Sequence, residues 1–225
     1  MRMFFRVVRL TVCIGLTAFG ISVSAEEANE PKTQPEGTLW IQKWIDSNLS
    51  MVVEDYWWLH ENPELSYQEV ETAKYVAAAW KKAGFEVTTG VGGHGVVAVL
   101  ANGSGPTLML RTDLDALPVS EVTGLPRAST KKTTLPSGAS AGIMHACGHD
   151  VHMTNLIAIS RLMAANKERW RGTLMLVGQP AEERGGGAQK MIDDGLFTRF
   201  KKPDLPWHFI ARRRRRLPLR CERDT

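Results

Sequence analysis

Helical and strand-like segments alternate along the middle of the chain, and this alternation restricts the fold more than any other feature. Apolar residues recur at helical spacing from Leu39 to His60 and again after His149. The segments FEVTT, GVVAVLA, TLMLR and GTLMLVGQ are short apolar runs typical of strands. Helices that alternate with strands predict a layered α/β/α domain with its functional groups at strand ends.

A second helix is predicted between the first helix and the first strand. An Asn-Pro pair at 62–63 interrupts the helical spacing, and Ser66 with Glu69 matches the capping-box pattern that opens helices. A glycine at a helix C-terminus is common, so this helix is expected to end near Ala83, just before Gly84.

The positive charge of the chain lies at its two ends. The net charge is +4, but residues 26–204 hold 18 basic and 22 acidic side chains. A basic face for nucleic acid is therefore not expected in the body of the chain. Residues 205–225 hold seven arginines, five of them consecutive.

The first 25 residues have the pattern of a secretory signal peptide. Three arginines precede an apolar run from Leu10 to Ile21, and cleavage is expected after Ala25. The run is shorter than the ~20 residues of a membrane span, so no stable anchor is expected, and an uncleaved anchor is the alternative. The mature protein is predicted to be periplasmic or secreted, with residues 26–38 as a flexible leader.

The segment MHACGHDVH, Met144 to His152, places one thiol and three imidazoles close together. Cys147 and His149 flank a glycine, so a turn can direct both side chains inward. If a helix begins at His149, then His149 and His152 share one of its faces. A thiolate with neutral imidazoles suits zinc, manganese or cobalt. The alternatives are a loop with incidental histidines, or a disulfide between Cys147 and Cys221.

Pairs of carboxylates follow two of the predicted strands. Glu182 and Glu183 follow TLMLVGQP, and Asp113 and Asp115 end the strand TLMLR. Of two adjacent carboxylates, one can bind a metal while the other acts as a general base toward water. Each pair alone is typical of solvated strand ends, but three polar clusters at strand and loop ends favour a metal site.

Two short segments match known binding or catalytic motifs, but the sequence around each of them does not fit the motif. GVGGHG at 90–95 matches a dinucleotide-binding fingerprint, yet the β-branched run VVAVLA follows it where a helix is required. GASAG at 138–142 matches a nucleophile elbow, which needs a strand before it and a helix after it, yet KKTTLPS precedes it and IMHACGH follows. A glycine-rich turn and a flexible loop are the better interpretations.

Three motifs together resemble peptidase family M20: LRTDLDALP, MHACGHDVH and GQPAEERGGGAQKMIDDGLF. The similarity is greatest to its branch of N-acyl-amino-acid and hippurate hydrolases, and it covers residues 39–204. It implies the N-terminal portion of a zinc-peptidase-like catalytic domain. It also implies two divalent ions, manganese or zinc, and cleavage of amide bonds in small N-acyl amino acids or peptides. Full-length relatives are expected to be dimers.

The resemblance also implies roles for single residues. Cys147, His149 and Glu183 would bind metal, and Glu182 would be the general base. Asp113 is assigned to the catalytic group as an orienting residue. The residues assigned to the surroundings of the centre, or left without a fixed role, are His152, Asp115, Asp150 and His208.

The resemblance stops at Asp204, where family members continue with a further ligand histidine and a lid domain. The string LPWHFIARRRRR can be encoded by bases that give ALALHSATPTA in another frame, and ALALH is what the resemblance implies after KPD. Residues 205–225 are therefore predicted to be an out-of-frame basic tail on a truncated product. His208 lies near the expected ligand spacing, but in a foreign context.

Three functions follow from these features. The first is a metal-dependent amidohydrolase, which as a truncated chain is expected to be inactive and poorly folded. The second is a non-catalytic fragment that binds metal. The third is a basic-tailed binding protein, which the acidic body of the chain disfavours.

Overall fold

The computed structural model describes residues 38–208, in which helices and strands alternate as predicted. The helices are α1 (Leu39–Glu61), α2 (Val70–Lys82), α3 (His149–Ala165), α4 (Gly187–Asp193) and α5 (Leu196–Arg199). The strands are β1 (Glu86–Val91), β2 (Gly95–Asn102), β3 (Thr107–Asp113), β4 (Lys132–Thr134), β5 (Ser140–Gly142), β6 (Gly172–Gln179) and β7 (Leu205–His208). The predicted signal peptide, the leader up to residue 37 and the run of arginines lie outside the described residues.

Five strands form the central sheet in the order β1-β2-β6-β3-β7. The pairs β1–β2 and β2–β6 are antiparallel, whereas β3 runs parallel to both β6 and β7. The pairing of β3 with β6 ends with Asp113 opposite Gln179. Both strands therefore deliver the residues that follow them to the same edge of the sheet, which is where sites form in parallel α/β sheets.

Alternate residues of the central strands face two different cores. Val96 of β2 and Leu176 of β6 pack with α1, α2 and α3 on one face of the sheet. Their neighbours Val97 and Val177 pack with α4 and α5 on the opposite face. Each fully buried aliphatic side chain of this kind contributes ~1.5–3 kcal/mol to stability. The predicted layered α/β/α arrangement is confirmed.

The predicted capping box at Ser66 and Glu69 is wrong. Helix α2 begins at Val70, and the side chain of Glu69 makes no capping hydrogen bond. The Ser66 hydroxyl instead donates to Asp115 Oδ2 at 2.6 Å. Both polar groups have partners elsewhere in the fold, so neither is available to the first turn of the helix.

The two glycine-containing patterns lie in β-hairpins. Gly92 and Gly93 adopt positive φ in the tight turn between β1 and β2, and no helix follows them. The GASAG segment includes β5, which pairs with β4. Neither stretch has the strand-to-helix geometry that a dinucleotide site or a nucleophile elbow requires.

The first part of the predicted tail belongs to the sheet. Asp204 receives the Thr107 N–H on its carboxylate at 2.7 Å and donates its own N–H to Thr107 O at 2.9 Å. This pair of hydrogen bonds starts β7 beside β3, with the backbone of His208 opposite Arg111. The sheet thus includes the four residues that follow Asp204. Within residues 38–208, no helix has both the length and the apolarity needed to cross a bilayer.

Candidate metal centre

Three chain segments meet at the edge of the sheet where β3 and β6 end. Asp113 is the last residue of β3, and the turn after Gln179 carries Glu182 and Glu183. Helix α3 begins at His149, after a left-handed Gly148 (φ 77°) that turns the chain into the helix. The predicted start of this helix is therefore confirmed, and it brings the imidazole to the two strand ends.

The imidazole of His149 lies between carboxylates. Its Nε2 atom is 4.0 Å from Asp113 Oδ2, 3.9 Å from Glu182 Oε2 and 4.0 Å from Glu183 Oε1. Its Nδ1 atom is 2.8 Å from the backbone oxygen of Asp115 and 3.6 Å from Oδ1 of the same residue. The ring is buried, so these groups interact in a medium of low dielectric constant.

The potential ligands form two groupings that share one residue. Asp113, His149 and His152 make the first, and His149, Glu182 and Glu183 make the second. Within each grouping, one ligand atom from every residue lies within 4.8 Å of the others. His149 and His152 lie one helical turn apart with their ring centroids separated by 5.7 Å, as their spacing in the sequence predicts.

Several buried polar atoms at this edge have no hydrogen-bond partner. They include Asp115 Oδ1, Glu183 Oε1 and both ring nitrogens of His152. A buried polar group without a partner costs ~1–3 kcal/mol, and native structures contain few of them. A divalent cation supplies the missing partner for carboxylate oxygens and for the lone pair of an imidazole. The residues present therefore fit a metal site.

The electrostatics of the centre are dominated by its carboxylates. Burial opposes protonation of His149, but hydrogen bonds to Asp115 and the charge of Asp113 outweigh it and raise the pKa of His149 to about 9. Burial raises the pKa of Glu182, and the nearby negative charge of Asp113 adds to the effect. For Asp115, burial is outweighed by the nearby imidazole of His149 and by hydrogen bonds from Ser66 and the backbone of Glu183, and the pKa is lowered.

Cys147 lies at the open side of the centre. Its thiol is exposed and hydrogen-bonds to the Glu183 carboxylate, which raises the pKa of Cys147 to about 11. Burial and the surrounding negative charges act in the same direction. A cation at Glu183 would reverse this effect, because a bound cation favours the thiolate.

Three of the predicted residues belong to neither grouping: Cys147, Asp115 and Asp150. Oδ2 of Asp150 is 2.7 Å from Nδ1 of the buried His60. Nε2 of His60 is in turn 3.1 Å from Glu121 Oε1. Only the backbone of His208 falls within the description of β7, so its predicted role as a ligand stays a prediction.

Sequence reasoning missed four polar residues at or near the centre. Arg111 donates from Nε to Asp113 Oδ1 at 3.1 Å, and its spacing of two from Asp113 along a strand is the signal that predicts a shared face. His145 is buried with both ring nitrogens unpartnered, and burial lowers its pKa to about 4. The other two are Ser66 and Glu69, which bond to Asp115 and Ala181. Their match to the capping-box pattern predicts a different role, at the start of a helix.

The turn that carries the two glutamates is tightly constrained. Ala181 is fully buried and has a positive φ of 49°, which is rare for a residue with a side chain. Its N–H donates to Glu69 Oε1 at 2.7 Å. A Cβ atom at Gly187 would lie 1.5 Å from the oxygen of Pro180, so only glycine fits where α4 begins. The Glu183 N–H donates to Asp115 Oδ2 at 3.0 Å, which joins this turn to the end of β3.

Comparison with known sequences matches the region that contains the centre. The sequence model described as peptidase family M20/M25/M40 matches residues 109–212. Hippurate hydrolase from Campylobacter jejuni is 45% identical over 67% of this chain and 37% of its own length. N-acetyl-L-cysteine deacetylase from Bacillus subtilis is 44% identical over 61% of this chain and 31% of its own length. The chain thus spans about a third of these relatives.

Solved structures share the same fold. A dinuclear metal-binding peptidase of the M20 family from Bacillus subtilis has a TM-score of 0.65 and 31% identity, covering 74% of this chain and 44% of its own. An aminohydrolase described as putative, from methicillin-resistant Staphylococcus aureus, has a TM-score of 0.64 and 38% identity, covering 71% and 39%.

These similarities extend over both strands that end at the centre and over the helix that begins there. The sequence resemblance first drawn from three motifs is therefore confirmed by the family match and by the shared tertiary structure. The part of this chain from residue 109 to residue 212 belongs to peptidase family M20.

Proposed function

We propose that this chain provides the metal-binding part of a hydrolase that cleaves the amide bond of N-acyl amino acids with two divalent ions. The observation that carries the proposal is the position of His149 Nε2, about equally distant from Asp113, Glu182 and Glu183. The two groupings together offer five residues with carboxylate or imidazole donors, enough ligands for two adjacent ions, of which Nε2 of His149 would bind one.

The donor atoms indicate which residues would hold the ions. His149 and Glu183 of the second grouping are proposed as ligands, and Cys147, whose thiol interacts with Glu183, is proposed as a third. Asp113 and His152 of the first grouping extend the centre. When bound, divalent ions polarise a carbonyl oxygen and make water more acidic. Imidazole and thiolate groups favour zinc, whereas the excess of carboxylates favours manganese, and we propose one of these two metals.

Glu182 has the properties of a general base. Its side chain is 42% exposed, compared with 17% for Glu183, so it can be reached from the open side of the centre. Its raised pKa brings it closer to neutrality, where a carboxylate accepts and returns a proton more effectively. We assign Glu182 to take a proton from water and to pass it to the leaving amine.

The names of the relatives support the substrate class. Hippurate and N-acetyl-L-cysteine are both N-acyl amino acids, and enzymes named for their hydrolysis are 45% and 44% identical to this chain over the matched regions. We propose that the substrate is a small N-acyl amino acid with a free carboxylate.

An assay with hippurate and added manganese tests the proposal. The 225-residue chain is compared with a chain in which the reading frame after Asp204 is corrected. We expect the corrected chain to release glycine until a chelator removes the metal, and the 225-residue chain to release none. Absence of release by the corrected chain would refute the proposed hydrolysis, and metal-dependent release by the 225-residue chain would refute its expected inactivity.

We propose further that the protein is exported and that residues 1–25 are removed. The arginine-rich start, the short apolar run and the small residues before Glu26 support this proposal. Sequencing the N-terminus of material from an expressing bacterium should give Glu26 as the first residue. An intact Met1 in the membrane fraction would indicate an anchor instead.

A further inference from the structure

The two glutamates of the centre depend on a strained turn. The residue before Glu182 is Ala181, which combines a positive φ of 49° with complete burial. A non-glycine residue keeps such a conformation only when its surroundings hold it there. The position of Glu182 and Glu183 relative to His149 therefore depends on whatever fixes Ala181.

Glu69 makes the contact that fixes this residue. Its Oε1 atom accepts the Ala181 N–H at 2.7 Å across 112 residues of sequence. The backbone oxygen of Glu69 accepts the Ala73 N–H at 3.0 Å, so its backbone is held at the start of α2. On its other side, Ala181 accepts through its own backbone oxygen from the Gly187 N–H at 3.3 Å.

The burial of Glu69 indicates that this hydrogen bond has a specific role. Its side chain is fully buried, and its second oxygen, Oε2, has no partner. An apolar side chain of the same size would be easier to bury at this place, because a carboxylate loses its hydration on burial. In the described part of the chain, no hydrogen bond or ion pair joins the Glu69 side chain to either grouping, and its hydrogen bond goes to the turn at Ala181. Its influence on the centre therefore passes through the turn.

We propose that Glu69 is a positioning residue of the metal centre, which holds the turn at Ala181 so that Glu182 and Glu183 face His149. This inference rests on the proposed function for the identity of the site. The turn itself is present whether or not a metal is bound, and this allows the two ideas to be tested separately.

Two substitutions separate the hydrogen bond from the volume of the side chain. Glu69→Gln keeps an oxygen acceptor for the Ala181 N–H, whereas Glu69→Met keeps the size and removes the acceptor. Binding of Mn²⁺ to the full chain is measured by calorimetry for both variants. We expect Glu69→Met to weaken Mn²⁺ affinity by ~10–100-fold, the usual effect of losing a group that supports metal ligands. Glu69→Gln should stay within about threefold of the unaltered chain.

A matched variant controls for general destabilisation. Val76 is fully buried in α2, the helix that begins directly after Glu69, and it belongs to the hydrophobic core on that face of the sheet. Val76→Ala should lower the melting temperature without changing Mn²⁺ affinity. If Val76→Ala weakens Mn²⁺ binding as much as Glu69→Met does, the effect of Glu69 is one of stability and the proposal is overturned. Unchanged affinity in Glu69→Met, or equal losses in the Met and Gln variants, would also overturn it.

Hydrogen exchange of the Ala181 amide gives a readout that needs no metal. In the metal-free, unaltered chain this amide should be protected, and Glu69→Met should speed its exchange by about tenfold or more. If the unaltered chain binds no Mn²⁺, the proposed function fails while this measurement still decides the role of Glu69. Fast exchange of the Ala181 amide in the unaltered chain would overturn the positioning role even if Glu69→Met does not fold.

Discussion

The two nitrogens of His149 have different partners, and this difference determines which of them can bind a metal. Nδ1 lies 2.8 Å from the backbone oxygen of Asp115, which can only accept a hydrogen bond. Nδ1 therefore carries the proton in the neutral ring, and the lone pair of Nε2 points toward Asp113, Glu182 and Glu183. A carbonyl that fixes the tautomer in this way prepares the imidazole as a ligand.

Loss of a proposed ligand should reduce metal content. Cys147→Ser and Glu183→Ala each remove a donor atom, so we expect the manganese bound after dialysis to fall by about tenfold or more. Elemental analysis of the dialysed protein measures the effect. Glu168→Ala is the control, because Glu168 is an exposed carboxylate whose ion-pair partner is its neighbour Arg169. Equal metal content in all four proteins would refute the ligand assignment.

Replacing the general base should separate turnover from binding. In a frame-corrected, longer chain, Glu182→Gln keeps the shape of the side chain but cannot take a proton, so turnover of hippurate should fall by ~10²–10⁴. Metal content should remain close to that of the unaltered chain, because Glu183 is the proposed ligand of the pair. A variant with normal turnover would show that another group accepts the proton.

Helices α1 and α3 are joined by a buried cluster of charged groups. His60, in the last turn of α1, lies between Asp150 of α3 and Glu121 of the loop that joins β3 to β4. Burial opposes its protonation, but hydrogen bonds to these two carboxylates raise the pKa of His60 above its ordinary value of 6.5. For Glu121, burial is outweighed by hydrogen bonds from Thr123, Ser129 and His60, and its pKa is lowered.

The stabilising effect of this cluster should depend on pH. The contribution of His60 is complete below its unfolded pKa of about 6.5 and is lost as the pH rises through its raised folded value. The contribution of Glu121 is present above about 4.5 and is lost as the pH falls through its lowered value. His60→Gln should therefore reduce the free energy of unfolding most near pH 5.5, by about 3 kcal/mol.

Urea unfolding at pH 5.5 and at pH 9 measures this difference. The loss caused by His60→Gln should be smaller at pH 9, where the imidazole of the unaltered chain has lost more of its charge. A loss that is the same at both pH values would mean that the charge of His60 does not stabilise the fold.

The elements were predictable from the sequence to a greater degree than the contacts between them. Strands such as GTLMLVGQ and the helix after His149 follow from local apolar spacing, and they appear where that spacing places them. Ser66 and Glu69 were assigned to a helix cap, because their partners Asp115 and Ala181 lie 49 and 112 residues away. The sequence gives Asp150 no fixed role for the same reason, since its partner His60 is 90 residues distant.

The centre is formed by residues that are remote from one another in sequence, so bound metal should stabilise the whole fold. Ligands from the end of β3, the start of α3 and the turn after β6 would be held by the same ions. Metal at 100 times its dissociation constant adds ~2.7 kcal/mol to the free energy of unfolding. Melting curves with manganese and with a chelator should therefore differ for the unaltered chain.

The same comparison in Glu183→Ala provides the control. This variant lacks a proposed ligand, so its melting temperature should respond much less to manganese. Identical melting temperatures for the unaltered chain with and without metal would show that the centre holds no ion at the concentration used.

The strand order has a consequence for the timing of synthesis. Strand β3 ends at Asp113, and both of its neighbours in the sheet, β6 and β7, are translated later. Since 58 residues separate Asp113 from Gly172, a ribosome that adds ~5–20 residues per second needs roughly 3–12 s to supply the first of them. During that interval the nascent chain carries β3 with both backbone edges unpaired. The position of β6 in the sequence therefore determines how long the unpaired edges of β3 can pair with a wrong partner.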